Sequence, residues 1–145
     1  MRVLRATPVV SAGLGHLAAV LSAAGLPACD LGEPGRVFFR FDDGVGLVGF
    51  GGLEGDGADR LLRSLVVAPD RRGQGFGRTM LARLEGNALA LGVARLHLLT
   101  TTAAPFFRAN GYADALRAAA PPAIAGSREF TALCPASAAY IVKAL

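Results

Sequence analysis

Leu62-Arg63-Ser64-Leu65-Val66-Val67-Ala68-Pro69-Asp70-Arg71-Arg72-Gly73-Gln74-Gly75-Phe76-Gly77-Arg78 is the stretch that decides how this chain is read. Its first half is apolar and β-branched, as a buried strand requires. A proline and a charged, glycine-rich turn follow. Phe76, Met80, Leu81, Leu84, Ala88 and Leu91 then recur at helical spacing, and Gly92 is a natural stop. Strand, glycine loop and helix thus follow without a gap. A helix start leaves backbone N–H groups unpaired and carries partial positive charge. Glycines let an anion approach those groups with no Cβ in the way. Arg71, Arg72 and Arg78 add guanidinium groups, whose planar fork suits phosphate oxygens. The physics predicts a cradle for a pyrophosphate.

Two common cradles do not fit. No Gly-x4-Gly-Lys-Ser/Thr run exists, which excludes the P-loop. Gly73, Gly75 and Arg78 miss the GxGxxG spacing of dinucleotide folds, as do Gly49, Gly51 and Glu54. The remaining pattern, Arg72-x-x-Gly75-x-Gly77, resembles the acyl-CoA signature (Q/R)xxGx(G/A) of the GNAT superfamily of N-acetyltransferases. Leu65, Val67 and Pro69 match the hydrophobic-x-Val-x-Pro lead-in. Ala104 to Tyr112 is similar to the short helix of that family that ends in Gly-aromatic, here Gly111-Tyr112. A narrower likeness lies in Leu98 to Ala103 with Phe106-Phe107, and in Phe130 to Ala138 with Val142-Lys143-Ala144-Leu145. These resemble the arsenic-resistance-associated branch.

The rest of the chain agrees with that order. Residues 2–6 read as a short strand, and Pro8 and Ser11 open a helix to about Ala24, with Val10, Leu14, Leu17 and Leu21 as its apolar face. Arg36 to Phe41 and Val45 to Gly52 form a hairpin around Asp42-Asp43-Gly44. Arg60 to Ala68 is a third long strand and Val93 to Thr100 a fourth. Pro105 opens a short helix, Tyr112 begins an extended piece, residues 118–127 are a loop with a brief helix, and Tyr140 to Leu145 close the sheet. The order β-α-β-β-β-α-β-α-β predicts an α/β sandwich around one mixed sheet. The resemblance sharpens this to a GNAT-like fold: a mostly antiparallel sheet flanked by helices, with two splayed parallel central strands.

Composition sets the outer bounds. The 145 residues suit one domain over 1–145. With 52% hydrophobic and 18% charged residues, the bulk of the chain is not disordered. A net charge of +4, with arginine as every basic residue except Lys143, is no nucleic-acid stripe. No run reaches the ~18 apolar residues of a membrane span. Arg2, Arg5 and Leu26-Pro27-Ala28-Cys29 imitate a lipoprotein leader, but His16 and helical spacing favour a core helix. Cys29 and Cys134 lack metal-type spacing, so neither zinc nor a disulfide framework is expected and the setting reads as reducing cytoplasm. The hydrophobic fraction and a C-terminal strand able to pair across chains suggest a homodimer.

The resemblance implies roles residue by residue. Acetyl-CoA is the cofactor, its pantetheine arm lying between the splayed strands on main-chain groups of Leu65, Val66 and Val67. Arg72, Gly73, Gln74, Gly75, Phe76, Gly77 and Arg78 hold the pyrophosphate, with Phe107 and Arg108 on the cofactor's other side. The acceptor is a small-molecule amine. Two positions depart from the pattern. The tyrosine that protonates the leaving thiolate in many members is here Phe107, which has no proton to give; it is expected to pack on the cofactor or in the core. Tyr112, Tyr140, Ser137 and Cys134 are the hydroxyls and thiols available near the expected C-terminal side, and the last three are the candidate catalytic groups. The carboxylate four residues before the lead-in valine is here Arg63. Alternation puts it on the face of Leu65 and Val67. There it would favour an acceptor bearing a carboxylate, phosphinate or arsonate, and Arg63→Ala would raise the acceptor KM; the alternative is a side chain reaching solvent or pairing with Asp59 or Glu54. His97 reads as structural, or else as a base. A non-catalytic CoA-binding module and acetylation of a protein N-terminus or aminoacyl-tRNA stand as rival functions.

Overall fold

The computed structural model describes residues 3–145. Seven strands form one sheet: β1 (Arg5–Pro8), β2 (Arg36–Asp42), β3 (Leu47–Glu54), β4 (Asp59–Val67), β5 (Arg95–Thr100), β6 (Ala113–Asp114) and β7 (Ala139–Ala144), in the order β1-β2-β3-β4-β5-β7-β6. Every neighbouring pair is antiparallel except β4 and β5. Four helices flank it: α1 (Leu14–Ala23), α2 (Phe76–Ala90), α3 (Ala104–Ala109) and α4 (Pro122–Ala125). The α/β sandwich read from the sequence is therefore the observed fold. Arg2, placed in the first strand by that reading, lies outside the described residues.

Of three hydrophobic clusters among the described residues, the two largest lie on opposite faces of the sheet, and a third joins Leu61, Ile124 and Tyr140. Phe76, Met80, Leu81, Leu84 and Ala88 of α2 pack on Phe39, Phe41, Val48, Leu53, Leu62, Leu96 and Leu98. Leu17 and Leu21 of α1 pack on Phe38, Phe50 and Val66 from the other side. The helical periodicity of the sequence thus marks the right faces, except at the ends: Val10 and Leu91 are exposed. β3 carries glycine where its neighbours press closest. A Cβ on Gly49 would stand 2.1 Å from the Val66 carbonyl, and one on Gly52 2.6 Å from the Phe38 ring. These glycines serve sheet packing.

Alternation along β4 breaks at Ser64, which sits at φ 60. The β3–β4 register shifts opposite it, between Phe50 and Gly52. Such a bulge inserts one residue and turns the following side chains over. Leu62, Leu65 and Val67 consequently meet the α2 core, whereas Val66 meets the α1 core. Arg63 is carried to the face opposite Leu65 and Val67, where its guanidinium lies 5.6 Å from the Phe38 ring. Strict alternation had put it with Leu65 and Val67.

β7 lies inside the sheet, between β5 and β6, which corrects its reading as a strand open to a second chain. β6 covers it only at Ile141 and Val142. One element has no counterpart in the sequence reading: a π-helical turn over Glu129–Leu133, between α4 and β7. Among the described residues no helix is long and apolar enough to cross a membrane.

Candidate functional site

β4 and β5 pair at only three positions: Asp59 with Arg95, Arg60 with Leu96 and Leu61 with His97. β4 then stays with β3 as far as Val67, while β5 stays with β7 as far as Thr100. The parting strands open a cavity of about 490 Å³. Leu62 to Val67 line one wall and Leu98 to Ala103 the other, and Arg72 and Phe107 also border it. The splay is as expected, and Leu65, Val66, Val67, Arg72 and Phe107 line the cavity it opens.

The cradle is built by backbone conformation. Gly73 and Gly75 hold φ 76 and 79, in the left-handed region, where a side chain would be strained. Gly75 is the N-cap of α2 and has no side chain to cap it. Gly77 faces the Phe106 ring, 3.5 Å from where its Cβ would be. Phe76 is buried; Gln74 and Arg78 are exposed. Arg72 donates from Nε to the Val67 carbonyl at 3.2 Å, which fixes its stem and leaves both terminal nitrogens uncommitted. Arg71 is turned the other way: it pairs with Asp43 of the β2–β3 turn and lies over Phe76. Arg108 is bound by both Asp114 oxygens, at 2.9 and 3.0 Å, on the exposed side of α3.

The opposite end of the cavity is bordered by residues 24–27 after α1, by Arg63 and Ser64, and by Glu129, Leu133, Cys134 and Pro135. Here Arg63 is 3% exposed. Its Nη1 donates to Asp30 Oδ2 at 2.6 Å and to Glu54 Oε1 at 2.8 Å, and its Nη2 donates to Asp30 Oδ1 at 2.7 Å. Nε donates to Ser64 Oγ at 3.2 Å and stands 3.5 Å from Glu129 Oε1. Burial works against the Arg63 charge, but Asp30, Glu129 and Glu54 overcome it and hold its pKa above the usual arginine value. Arg36 adds a second cation, 2.9 Å from Asp30 and 3.7 Å from Glu54. Burial raises the Asp30 carboxyl, yet hydrogen bonds and charge from Arg63 and Arg36 bring it down to about 2. Glu54 is thus the partner that the sequence offered for Arg63. Asp59 instead binds Arg95 and His97, each at 2.7 Å.

The structure separates the three candidate catalytic groups. Tyr140 is buried, its hydroxyl 2.7 Å from His97 Nδ1, and it does not line the cavity. Ser137 is exposed. Cys134 does line it, and burial, with the charge of Glu129, pushes its thiol up to about 11. Tyr112 donates to Glu85 at 2.8 Å. Phe107 is buried between Phe106 and Tyr112, at centroid distances of 5.1 and 5.4 Å. His97 joins Asp59 to Tyr140 as a structural link. Asp30 and Glu129 were missed. Neither belongs to a motif, and only the fold brings them to Arg63.

Residues 34–114 match the family described as Acetyltransferase (GNAT) domain, which is more than half of the chain. The chain belongs to the GNAT acetyltransferase domain family. Among curated proteins, the amino-acid acetyltransferase of Azotobacter vinelandii is 45% identical over 51 residues, 35% of this chain and 12% of that protein. N-alpha-acetyltransferase 80 of Mus musculus is 44% identical over 52 residues, 36% of this chain and 17% of that protein. The matched stretch is thus a minor part of either relative. Among solved structures, N-acetylglutamate synthase from Neisseria gonorrhoeae, complexed with coenzyme A and L-arginine, superposes with TM-score 0.78 at 19% identity, covering 98% of this chain and 33% of that one. A GNAT-family acetyltransferase from Staphylococcus aureus Mu50 superposes with TM-score 0.77 at 14% identity, covering 99% of both chains. These likenesses show the GNAT fold.

Proposed function

We propose that residues 1–145 act as one acetyltransferase domain that moves the acetyl group of acetyl-CoA to the amine of a small molecule. The observation that carries this reading is the cavity between β4 and β5, whose lining runs from Arg72 at the cradle to Glu129 at the far end. The cradle fits an anionic ligand: left-handed glycines ahead of a helix, and Arg72 and Arg78 with no carboxylate partner among the described residues. Leu65 to Val67 would hold the pantetheine arm. Arg72 to Arg78 would hold the pyrophosphate, and Phe107 and Arg108 would flank the cofactor. Acetyl-CoA supplies the activated thioester carbonyl. The chain's own groups orient the amine, exclude water and move its proton. Cys134, protonated at neutral pH and bordering the cavity, is the candidate donor to the departing thiolate.

For the acceptor we infer an amino acid with an oxyanion, whether carboxylate, phosphinate or arsonate, the last in keeping with the arsenic-resistance-associated branch. The amino-acid acetyltransferase relative supports this. Arg63 borders the far end of the cavity, with four of its five N–H donors held by Ser64, Asp30 and Glu54. A reducing cytoplasmic setting and a homodimer complete the proposal, the latter checked by sedimentation equilibrium. The absence of a hydroxyl on Phe107 favours one rival, a CoA-binding module without turnover. Release of CoA thiol from acetyl-CoA tests the choice, measured against alkylamines, amino acids, aminoalkyl phosphinates and an N-terminal peptide, with CoA binding in parallel. Turnover on the small amino acids is expected. CoA binding with no turnover on any amine would establish the module instead, and turnover on the peptide alone would move the activity to protein N-termini.

A further inference from the structure

Glu129 is the group at the far end of the cavity whose chemistry nothing else in the site uses. It is 4% exposed, it borders the cavity, and its carboxylate accepts no hydrogen bond among the described residues. Its nearest cation is Arg63, whose Nε is 3.5 Å away and donates to Ser64. Asp30 and Glu54 leave it no better partner, since they take the remaining bonded donors of Arg63 and the charge of Arg36. The cluster therefore sets three carboxylates against two guanidinium groups. A buried carboxylate without a hydrogen bond is costly to keep ionised. One further cation, entering by the cavity, would satisfy both the charge and the missing donors.

We propose that Glu129 seats the amine of the acceptor: its carboxylate receives the ammonium as the third cation of the cluster and takes the proton that must leave before nitrogen can attack. The proposal rests on the acetyl-transfer reading for its second half only. In that half, R–NH3+ passes one proton to Glu129, leaving neutral R–NH2. The nitrogen–carbon bond forms as the carbon–sulfur bond breaks, and the bonding pair leaves on sulfur. The second proton lost by nitrogen neutralises the thiolate, and Glu129 returns its own to solvent. The π-helical turn that carries Glu129 suits this role, because such turns are rare and concentrate at functional sites. Exposed Arg128, one residue earlier, is tied to Glu33 and so pins that turn to the loop carrying Asp30.

The charged and titratable groups facing Glu129 are Arg63 on β4, Glu54 on β3, Asp30 in the loop before β2, Arg36 on β2 and Cys134 just beyond the turn. Burial, opposed by Arg63 and reinforced by Glu54 and Asp30, pushes the Glu129 carboxyl up to about 7. A base poised there accepts a proton readily at neutral pH. The ligand class is a small primary ammonium.

The test uses the CoA-loaded full chain and n-butylammonium chloride as probe, by titration calorimetry at pH 6 and pH 8. The probe stays protonated throughout, so only the protein changes charge. Its affinity is expected to rise about tenfold between these pH values as Glu129 ionises. In Glu129→Gln the step disappears and affinity at pH 8 falls about tenfold; in Glu129→Asp the step remains. Unchanged CoA binding shows that the variants are folded. Equal probe binding and the same pH step in Glu129→Gln would overturn the proposal, as would a wild-type chain that does not bind the probe at pH 8. If the wild type shows the step and no amine turns over, the ammonium seat stands and the acetyl-transfer reading falls.

Discussion

Two arginines nine residues apart, Arg63 and Arg72, border the same cavity and do opposite work. Arg72 belongs to a contiguous loop. It is exposed, its stem is fixed by a bond to the Val67 carbonyl, and its charge is uncommitted. Arg63 is buried, and Asp30, Glu54 and Glu129 reach it from three other segments of the chain. One charge waits for a ligand; the other is already part of the protein's interior. The difference teaches that a guanidinium in a binding cavity is read by what its donors already hold.

The largest test of that difference is stability. Arg63→Ala strips the buried carboxylates of their shared cation. Breaking a buried pair from one side costs about 3–5 kcal/mol. A urea midpoint should fall accordingly, and a rise in acceptor KM for this variant would report damage to the cluster as much as a lost anion contact. Arg72→Ala should leave the midpoint where it was. Equal midpoints for the two variants would break the comparison.

The interior end also writes its charge into the pH dependence of folding. The Asp30 carboxyl is lowered from 3.8 to about 2, so the stability it lends is complete above pH 3.8 and is lost as pH falls towards 2. Glu129 runs the other way. Its carboxyl is raised from 4.5 to about 7, so its contribution is complete below pH 4.5 and is lost as pH rises through 7. Between pH 5 and pH 8 the wild type should lose up to about 3 kcal/mol from this source, on the scale of ~1.4 kcal/mol for each pH unit. Glu129→Gln should show no such decline in urea unfolding across that range. A parallel fall in both proteins would assign the loss to other groups.

The same contrast explains what could be read in advance. The cradle is a local motif: a strand, alternating glycines and a helix start within 17 residues, from Leu62 to Arg78, suffice to specify it. The fold followed from periodicity, because α1 and α2 pack on the sheet by the faces their spacing marks. The far end of the cavity was not legible. Asp30 lies in a loop, Glu54 at the end of β3 and Glu129 in a turn that no periodicity announces. Even Arg63 was placed on the wrong face, because one left-handed serine, Ser64, shifts the alternation and no glycine marks the spot.

At the ligand end, the expected effect is on affinity alone. Arg72→Ala or Arg78→Ala should weaken CoA binding about tenfold or more, the worth of a charge-assisted hydrogen bond to phosphate. Gly75→Ala should do at least as much, since a side chain at φ 79 is strained and its Cβ stands at the helix start. Titration of CoA into each variant measures this. Affinities equal to wild type would mean that the cradle holds something else.

Arg71 is the smallest and most discriminating case. By position it is the first cation of the glycine loop, next to Arg72 in sequence. By contact it belongs with Arg63, because Asp43 and the face of Phe76 already hold it. Position predicts that Arg71→Ala weakens CoA as much as Arg72→Ala does. Contacts predict a change of less than about threefold, because the lost charge was balanced by Asp43 before any ligand arrived. Asp43→Ala separates the two further. It should release Arg71 towards the cradle and leave CoA binding unchanged or slightly tighter at low salt, where the freed charge is least screened. If Arg71→Ala instead matches Arg72→Ala, the cradle reaches one residue further back than its contacts allow, and position rather than partner decides which arginines meet the phosphates.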